Sequence, residues 1–142
     1  LAPGAVQTST IADMAVSALA FAQGTLLSPE SHAAQIAPDL VGFGAPLEGC
    51  PACHTLNAEY AYGLGMVLSG PWVLQNPLLA GYGSIAAGLP GRDLAIAVAT
   101  TFTETCFDEQ GNNKSSRASW NIFAEIAAVL APDAVPATRR AS

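Results

Sequence analysis

Basic residues are scarce in this chain. Five Lys and Arg residues stand against eleven Asp and Glu residues among 142 positions, and the first basic residue is Arg92. A protein that follows a nucleic-acid strand needs a basic surface, because its cations must neutralise phosphates. We therefore expect no nucleic-acid partner.

Long apolar runs are also missing. No run approaches the roughly 18 residues that a membrane-crossing helix needs, and the helical stretch near the start carries Asp13 and Gln23. We expect no membrane span. The chain is nevertheless 51% hydrophobic and 11% charged, so it can bury the core of one domain.

Cysteine is limited to Cys50, Cys53 and Cys106, and an odd count leaves one thiol free if the other two pair. The Cys-Pro-Ala-Cys-His sequence of residues 50–54 has two interpretations. It has the form of a covalent c-type haem site, with Met14 or Met66 as a further axial ligand. It also suits a local disulfide between Cys50 and Cys53, which is the pairing that we expect, with a reduced pair or a bond to Cys106 as the alternatives. We expect no metal site and no cofactor.

The N-terminal part, residues 9–37, predicts two helices. The Thr-Ile-Ala-Asp sequence at 10–13 has the form of a capping box, and apolar residues recur at helical spacing until Gly24. The Ser-Pro-Glu sequence at 28–30 is a second start signal, for a short helix that runs to the end of this part. Residues 38–57 are rich in Gly and Pro, which predicts a loop.

The following part, residues 58–103, predicts about four antiparallel strands. Residues 60–68 alternate as one strand, and residues 72–75 begin the return strand. Residues 115–131 carry apolar side chains at three- and four-residue intervals, which predicts a C-terminal helix, and residues 133–142 read as a frayed tail. The fold class is α+β, an antiparallel sheet flanked by N-terminal helices and a C-terminal helix.

Residues 81–98 read as two apolar strands joined by a Pro-Gly turn, which is a β-hairpin. The hairpin opens on Gly-Tyr-Gly-Ser and resembles the one beside the active site in serine β-lactamases of the class C type, D-alanyl-D-alanine carboxypeptidases and related esterases. Further landmarks of that family appear in order: Ser-Thr-Ile-Ala-Asp-Met at 9–14, Leu-Leu-Ser-Pro-Glu-Ser at 26–31 and Tyr-Gly-Leu-Gly at 62–65.

The resemblance implies that residues 1–142 form the C-terminal portion of one β-lactamase/transpeptidase-like domain. The family's nucleophile is a Ser in Ser-x-x-Lys, and it precedes the region matched here. The only lysine of this chain is Lys114, and Gly111 stands three residues before it, so no such dyad can be written. The chain also begins at Leu1 rather than Met. We expect a fragment or processed product, with an N-terminal portion or companion chain completing the fold.

The resemblance also places a cleft-wall strand just before the hairpin. The family's Lys-Thr-Gly or His-x-Gly motif falls on Gln75, Asn76 and Pro77, so the usual cation is missing and only hydrogen bonds are offered. The backbone N–H of Leu78 falls where the family supplies an oxyanion-hole donor, and Tyr82 borders the substrate cleft.

The implied function is ester or amide hydrolysis of a small molecule through an acyl-enzyme, outside the cytoplasm. The implied substrate-binding residues are Gln75, Asn76, Leu78 and Tyr82, with no catalytic residue in this chain. The alternative is a non-catalytic binding or structural domain of the same fold that has lost the motifs.

Overall fold

The computed structural model describes residues 8–50, 53–79 and 81–137. Its helices are α1 (Ile11–Gln23), α2 (Pro29–Gln35) and α3 (Ala118–Leu130), with a 3₁₀ turn at Glu104–Cys106. Its strands are β1 (Tyr60–Tyr62), β2 (Val67–Ser69), β3 (Trp72–Gln75), β4 (Leu78–Leu79), β5 (Tyr82–Gly88) and β6 (Ala95–Thr101).

The strands form one antiparallel sheet, which confirms the α+β class. Strands β1, β2, β3, β5 and β6 lie side by side in that order, and β4 lies beside β5 beyond the end of β3. The predicted hairpin is confirmed, since β5 pairs with β6 along its whole length. Within the described residues the sheet has six strands, where about four were expected.

The strand predicted over residues 60–68 is wrong as a single element. The chain turns after Tyr62, and β1 pairs back on β2. Gly63 permits the turn, because a Cβ there would lie 2.1 Å from the carbonyl oxygen of Gln35, and Gly65 has a left-handed φ of 74°. The N–H of Leu64 donates to that same carbonyl at 2.8 Å. A contact with α2 therefore divides the predicted strand.

The helix boundaries follow local capping chemistry at two helices. The Thr10 hydroxyl accepts from the N–H of Asp13 at 3.1 Å, and Gly24 ends α1 with a left-handed φ of 67°. Ser28 caps α2 in the same way through the N–H of Ser31. Helix α3 has no side-chain cap and begins at Ala118, three residues later than the predicted start.

The two faces of the sheet carry different side chains. On one face, Ile85 and Val98 lie opposite each other and join a core with Phe123 and Ala127 of α3. On the other face, the part of the β5–β6 hairpin beyond Tyr82 carries small residues, namely Ser84, Ala86, Gly88, Ala95 and Ala97. This second face receives α1.

Trp72 is the largest fully buried side chain and joins the sheet to the C-terminal part. Its ring meets Phe123 edge to face, with centroids 5.2 Å apart. Its indole Nε1 donates to the carbonyl of Ala134 at 2.6 Å. The expected frayed tail is wrong for residues 133–137, because Ala134 is buried and the Ala137 carbonyl accepts from the Ser69 hydroxyl. Residues 138–142 lie outside the described residues.

The substitution Gly88→Ala tests how closely α1 packs on the sheet. A Cβ at Gly88 would lie 2.5 Å from both the Ala18 carbonyl oxygen and the Ala22 Cβ, so Gly88→Ala forces the helix away from the sheet. We expect the free energy of unfolding in urea to fall by about 1–3 kcal/mol. In an Ala22→Gly background the loss is smaller but persists, since the Ala18 carbonyl remains. An unchanged unfolding midpoint for Gly88→Ala would contradict this packing.

Candidate functional site

The strand that precedes the hairpin runs beside β5 in unbroken register. Gln75 lies opposite Ala86, and Leu78 lies opposite Gly83. The step from Gln75 to Leu78 is three residues, and the step between their partners on β5 is also three residues. No extra residue therefore interrupts the pairing at Asn76 and Pro77. β3 and β4 form one line, called here the wall strand (residues 72–79).

The backbone N–H of Leu78 points away from β5. The N–H of Ser84 donates to the carbonyl of Pro77 at 3.1 Å, which makes Pro77 and Ser84 a hydrogen-bonded pair. Antiparallel ladders alternate such pairs with non-bonded ones, so the N–H of Leu78 points away from β5. Within residues 8–50, 53–79 and 81–137, no acceptor is bonded to this N–H.

The side chains of the four candidate residues divide between the two faces of the sheet. Gln75 and Tyr82 lie at positions of the α1 face, whereas Asn76 and Leu78 lie at positions of the α3 face. Tyr82 is 60% exposed and Leu78 is 58% exposed. The structure therefore brings the four residues to one end of the sheet without gathering their side chains on one face.

Gln75 is already engaged within the fold. Its side-chain Nε2 donates to the carbonyl of Gly65, in the turn between β1 and β2. This bond fastens the end of β3 to the neighbouring turn. A substrate that needs the Gln75 amide as a donor must therefore share or break that bond.

The sequence did not single out Thr100 and Phe102, which complete the same end of the sheet. The Thr100 hydroxyl donates to the carbonyl of Gly83 at 3.0 Å. A Cβ on Gly83 would lie 3.0 Å from Cζ of Phe102, so glycine leaves room for that ring. The signal was present in the hairpin, because its register fixes which residues of the second strand lie opposite the first.

The wall strand contains no Lys or Arg, and the first basic residue after it is Arg92. Arg92 lies in the turn at the far end of β5 from Tyr82 and forms an ion pair with Asp133. This pair raises the pKa of Arg92 and lowers the pKa of Asp133 through hydrogen bonding and charge attraction. Arg92 thus fastens the hairpin turn to the segment after α3.

Two further titratable groups with shifted pKa lie in the segment after β6. Hydrogen bonds from Ser115 and Thr103 lower the pKa of the Cys106 thiol, whose sulfur is free. Hydrogen bonds from Asn112 lower the pKa of Asp108. Both groups bond to neighbouring residues of their own segment.

The structure joins Cys50 and Cys53 in a disulfide, with their Cα atoms 5.4 Å apart. A covalent haem would use the same two sulfur atoms, so the disulfide and the haem exclude each other. Among the residues described, no three His, Cys, Asp or Glu side chains are gathered as a metal site. No helix in that part of the chain has the length and apolarity to cross a bilayer.

A pair of proline variants tests the direction of the Leu78 N–H. Leu78→Pro removes an N–H that no described residue accepts, whereas Leu79→Pro removes one that the ladder pairs with Tyr82. We expect Leu79→Pro to lower the free energy of unfolding by about 0.5–1.5 kcal/mol more than Leu78→Pro does, because it removes a ladder hydrogen bond to the Tyr82 carbonyl. Equal losses of unfolding free energy for the two variants, measured in urea, would contradict the assigned alternation of hydrogen-bonded and non-bonded pairs.

Comparison of this chain with protein-family models, with curated proteins and with solved structures finds no match.

Proposed function

We propose that this chain is the C-terminal portion of a serine hydrolase of the penicillin-recognising type and supplies one wall of its cleft. An N-terminal portion or companion chain carries the nucleophilic Ser. The whole acts outside the cytoplasm and hydrolyses a small ester or amide through an acyl-enzyme. The Cys50–Cys53 disulfide suits an oxidising compartment.

The outward N–H of Leu78 is the observation that carries the proposal. When a Ser hydroxyl attacks a carbonyl carbon, negative charge develops on the carbonyl oxygen, and a preorganised backbone N–H stabilises it. The ladder holds Leu78 in place on both sides, through the bond between Pro77 and Ser84 and through the pairing of Leu79 with Tyr82. Such a donor needs no particular side chain.

The edge of β6 opposite β5 supports the proposal that a further portion of the protein completes the sheet. Among the residues that the structure describes, β6 pairs only with β5, and its seven residues include no charge and no proline. Charges, prolines and bulges are the devices that keep an exposed edge from pairing with another strand. An edge without them suits the addition of a strand from a further portion of the protein.

The outer face of α3 supports the same conclusion. Ile122, Ile126 and Val129 recur at four- and three-residue spacing along one side of the buried stripe that contains Phe123 and Ala127, and all three are exposed. A helix that packs on a sheet by one stripe normally presents polar residues on the other. This second apolar stripe therefore suits burial against a further portion of the protein.

The polar character of the wall strand restricts the substrate. Gln75 and Asn76 occupy the positions where a cation would attract a carboxylate, and both are neutral. An uncharged ester or amide therefore fits the wall better than a substrate that depends on a carboxylate contact. Tyr82 supplies an exposed aromatic face for the apolar part of the substrate.

The alternative is a non-catalytic binding or structural domain of the same fold. The bond from Gln75 to the Gly65 carbonyl favours this alternative, because it commits the one long polar side chain of the wall to the fold. A fluorophosphonate probe separates the two functions, since it forms a covalent bond with an activated Ser.

The experiment uses the native protein isolated with whatever chain precedes or accompanies residues 1–142. We expect the probe to label a Ser outside these residues, and peptide mapping by mass spectrometry locates it. The isolated 142-residue chain is the matched control and stays unlabelled. Absence of labelling in the native protein would favour the non-catalytic domain.

Two variants of Leu78 then test its role. Leu78→Ala keeps the backbone donor, so its labelling rate stays near that of the parent protein. Leu78→Pro removes the donor, and the loss of one oxyanion-hole donor lowers the rate by about 10²–10³-fold. Equal rates for the two variants would show that the Leu78 N–H is not the donor, even if a Ser is labelled.

A further inference from the structure

The Cys50–Cys53 disulfide closes a very short loop. Its two cysteines are three positions apart in sequence. The constraint that a disulfide places on the unfolded chain grows with the number of residues in the loop that it closes. This bond therefore restricts the unfolded chain far less than a long-range bond would.

Hydrogen bonds hold the surrounding segment without help from the sulfur atoms. The N–H of Gly42 donates to the carbonyl of Leu56 at 2.9 Å, and the N–H of Leu56 donates to the carbonyl of Phe43 at 2.8 Å. The Thr55 hydroxyl adds a bond to the carbonyl of Gly44. The base of the loop is thus closed by backbone pairing, and the disulfide lies nearer its tip.

The disulfide also lies away from the core. Residues 38–49 are all exposed, and Cys50 and Cys53 are partly exposed. No described residue between 38 and 55 belongs to the buried core, although the ring of His54 lies against the core residue Tyr60, with centroids 5.5 Å apart. Cys50 and Cys53 themselves lie outside the core and are partly exposed, so a thiol can approach them without unfolding of the domain.

From these observations we propose that Cys50 and Cys53 form a redox site that exchanges with thiols in the folded protein. A thiolate of an external dithiol attacks one sulfur, the bond between Cys50 and Cys53 breaks, and the other cysteine leaves as a thiolate. The second thiol of the reagent then resolves the mixed disulfide. The protein gains two electrons and two protons, and the dithiol becomes a disulfide.

The test uses the full chain with Cys106→Ser, which removes the third thiol while keeping a hydroxyl for Thr103 and Ser115. The protein is equilibrated in a glutathione buffer of cytosolic poise, alkylated with a maleimide and weighed by mass spectrometry. We expect most molecules to carry two labels, with an unchanged far-ultraviolet circular dichroism spectrum. A pair that stays oxidised until denaturant is added would overturn the proposal.

Reduction kinetics provide a second readout. If the folded protein is attacked directly, the rate of reduction rises in proportion to the dithiothreitol concentration and does not respond to urea below the unfolding transition. A rate that levels off with dithiothreitol and accelerates with urea would show that reduction requires unfolding, which also overturns the proposal. The Cys50→Ser/Cys53→Ser variant in the same background is the control for non-specific labelling.

Discussion

Burial of Trp72 is the interaction on which the rest of this structure depends. The indole lies at the start of β3, packs edge to face on Phe123 of α3, and donates to the Ala134 carbonyl beyond that helix. One side chain thus connects the sheet, the C-terminal helix and the segment after it. The polar Nε1 is satisfied at a fully buried position, which makes the geometry of the contact specific.

The other face of the sheet obeys a different constraint, because α1 approaches it through small residues. Gly88 allows the backbone of Ala18 to come close, so β5 is held between α1 on one side and α3 on the other. A central strand held on both faces fixes the wall strand beside it, through an unbroken register from Gln75 to Leu79. The direction of the Leu78 N–H therefore depends on the packing of α1 and α3 against β5.

Local chemistry allowed much of this fold to be predicted. The Thr10 cap, the Gly24 stop and the β5–β6 hairpin depend on neighbouring residues, and they appear where the sequence places them. The division of residues 60–68 into two strands depends on the Gln35 carbonyl, and the order of residues 133–137 depends on Trp72 and Ser69. Those contacts join distant parts of the chain, so no local pattern could reveal them. At the candidate site, the positions were predictable but the division of side chains between two faces required the register.

The proposed role of Leu78 requires that its N–H points away from β5. Amide hydrogen exchange measured by NMR tests it most directly. We expect rapid exchange at Leu78 and protection at Leu79 and Ser84, whose N–H groups belong to the ladder. Protection of Leu78 equal to that of Ser84 would show that the Leu78 N–H does not point away from the ladder.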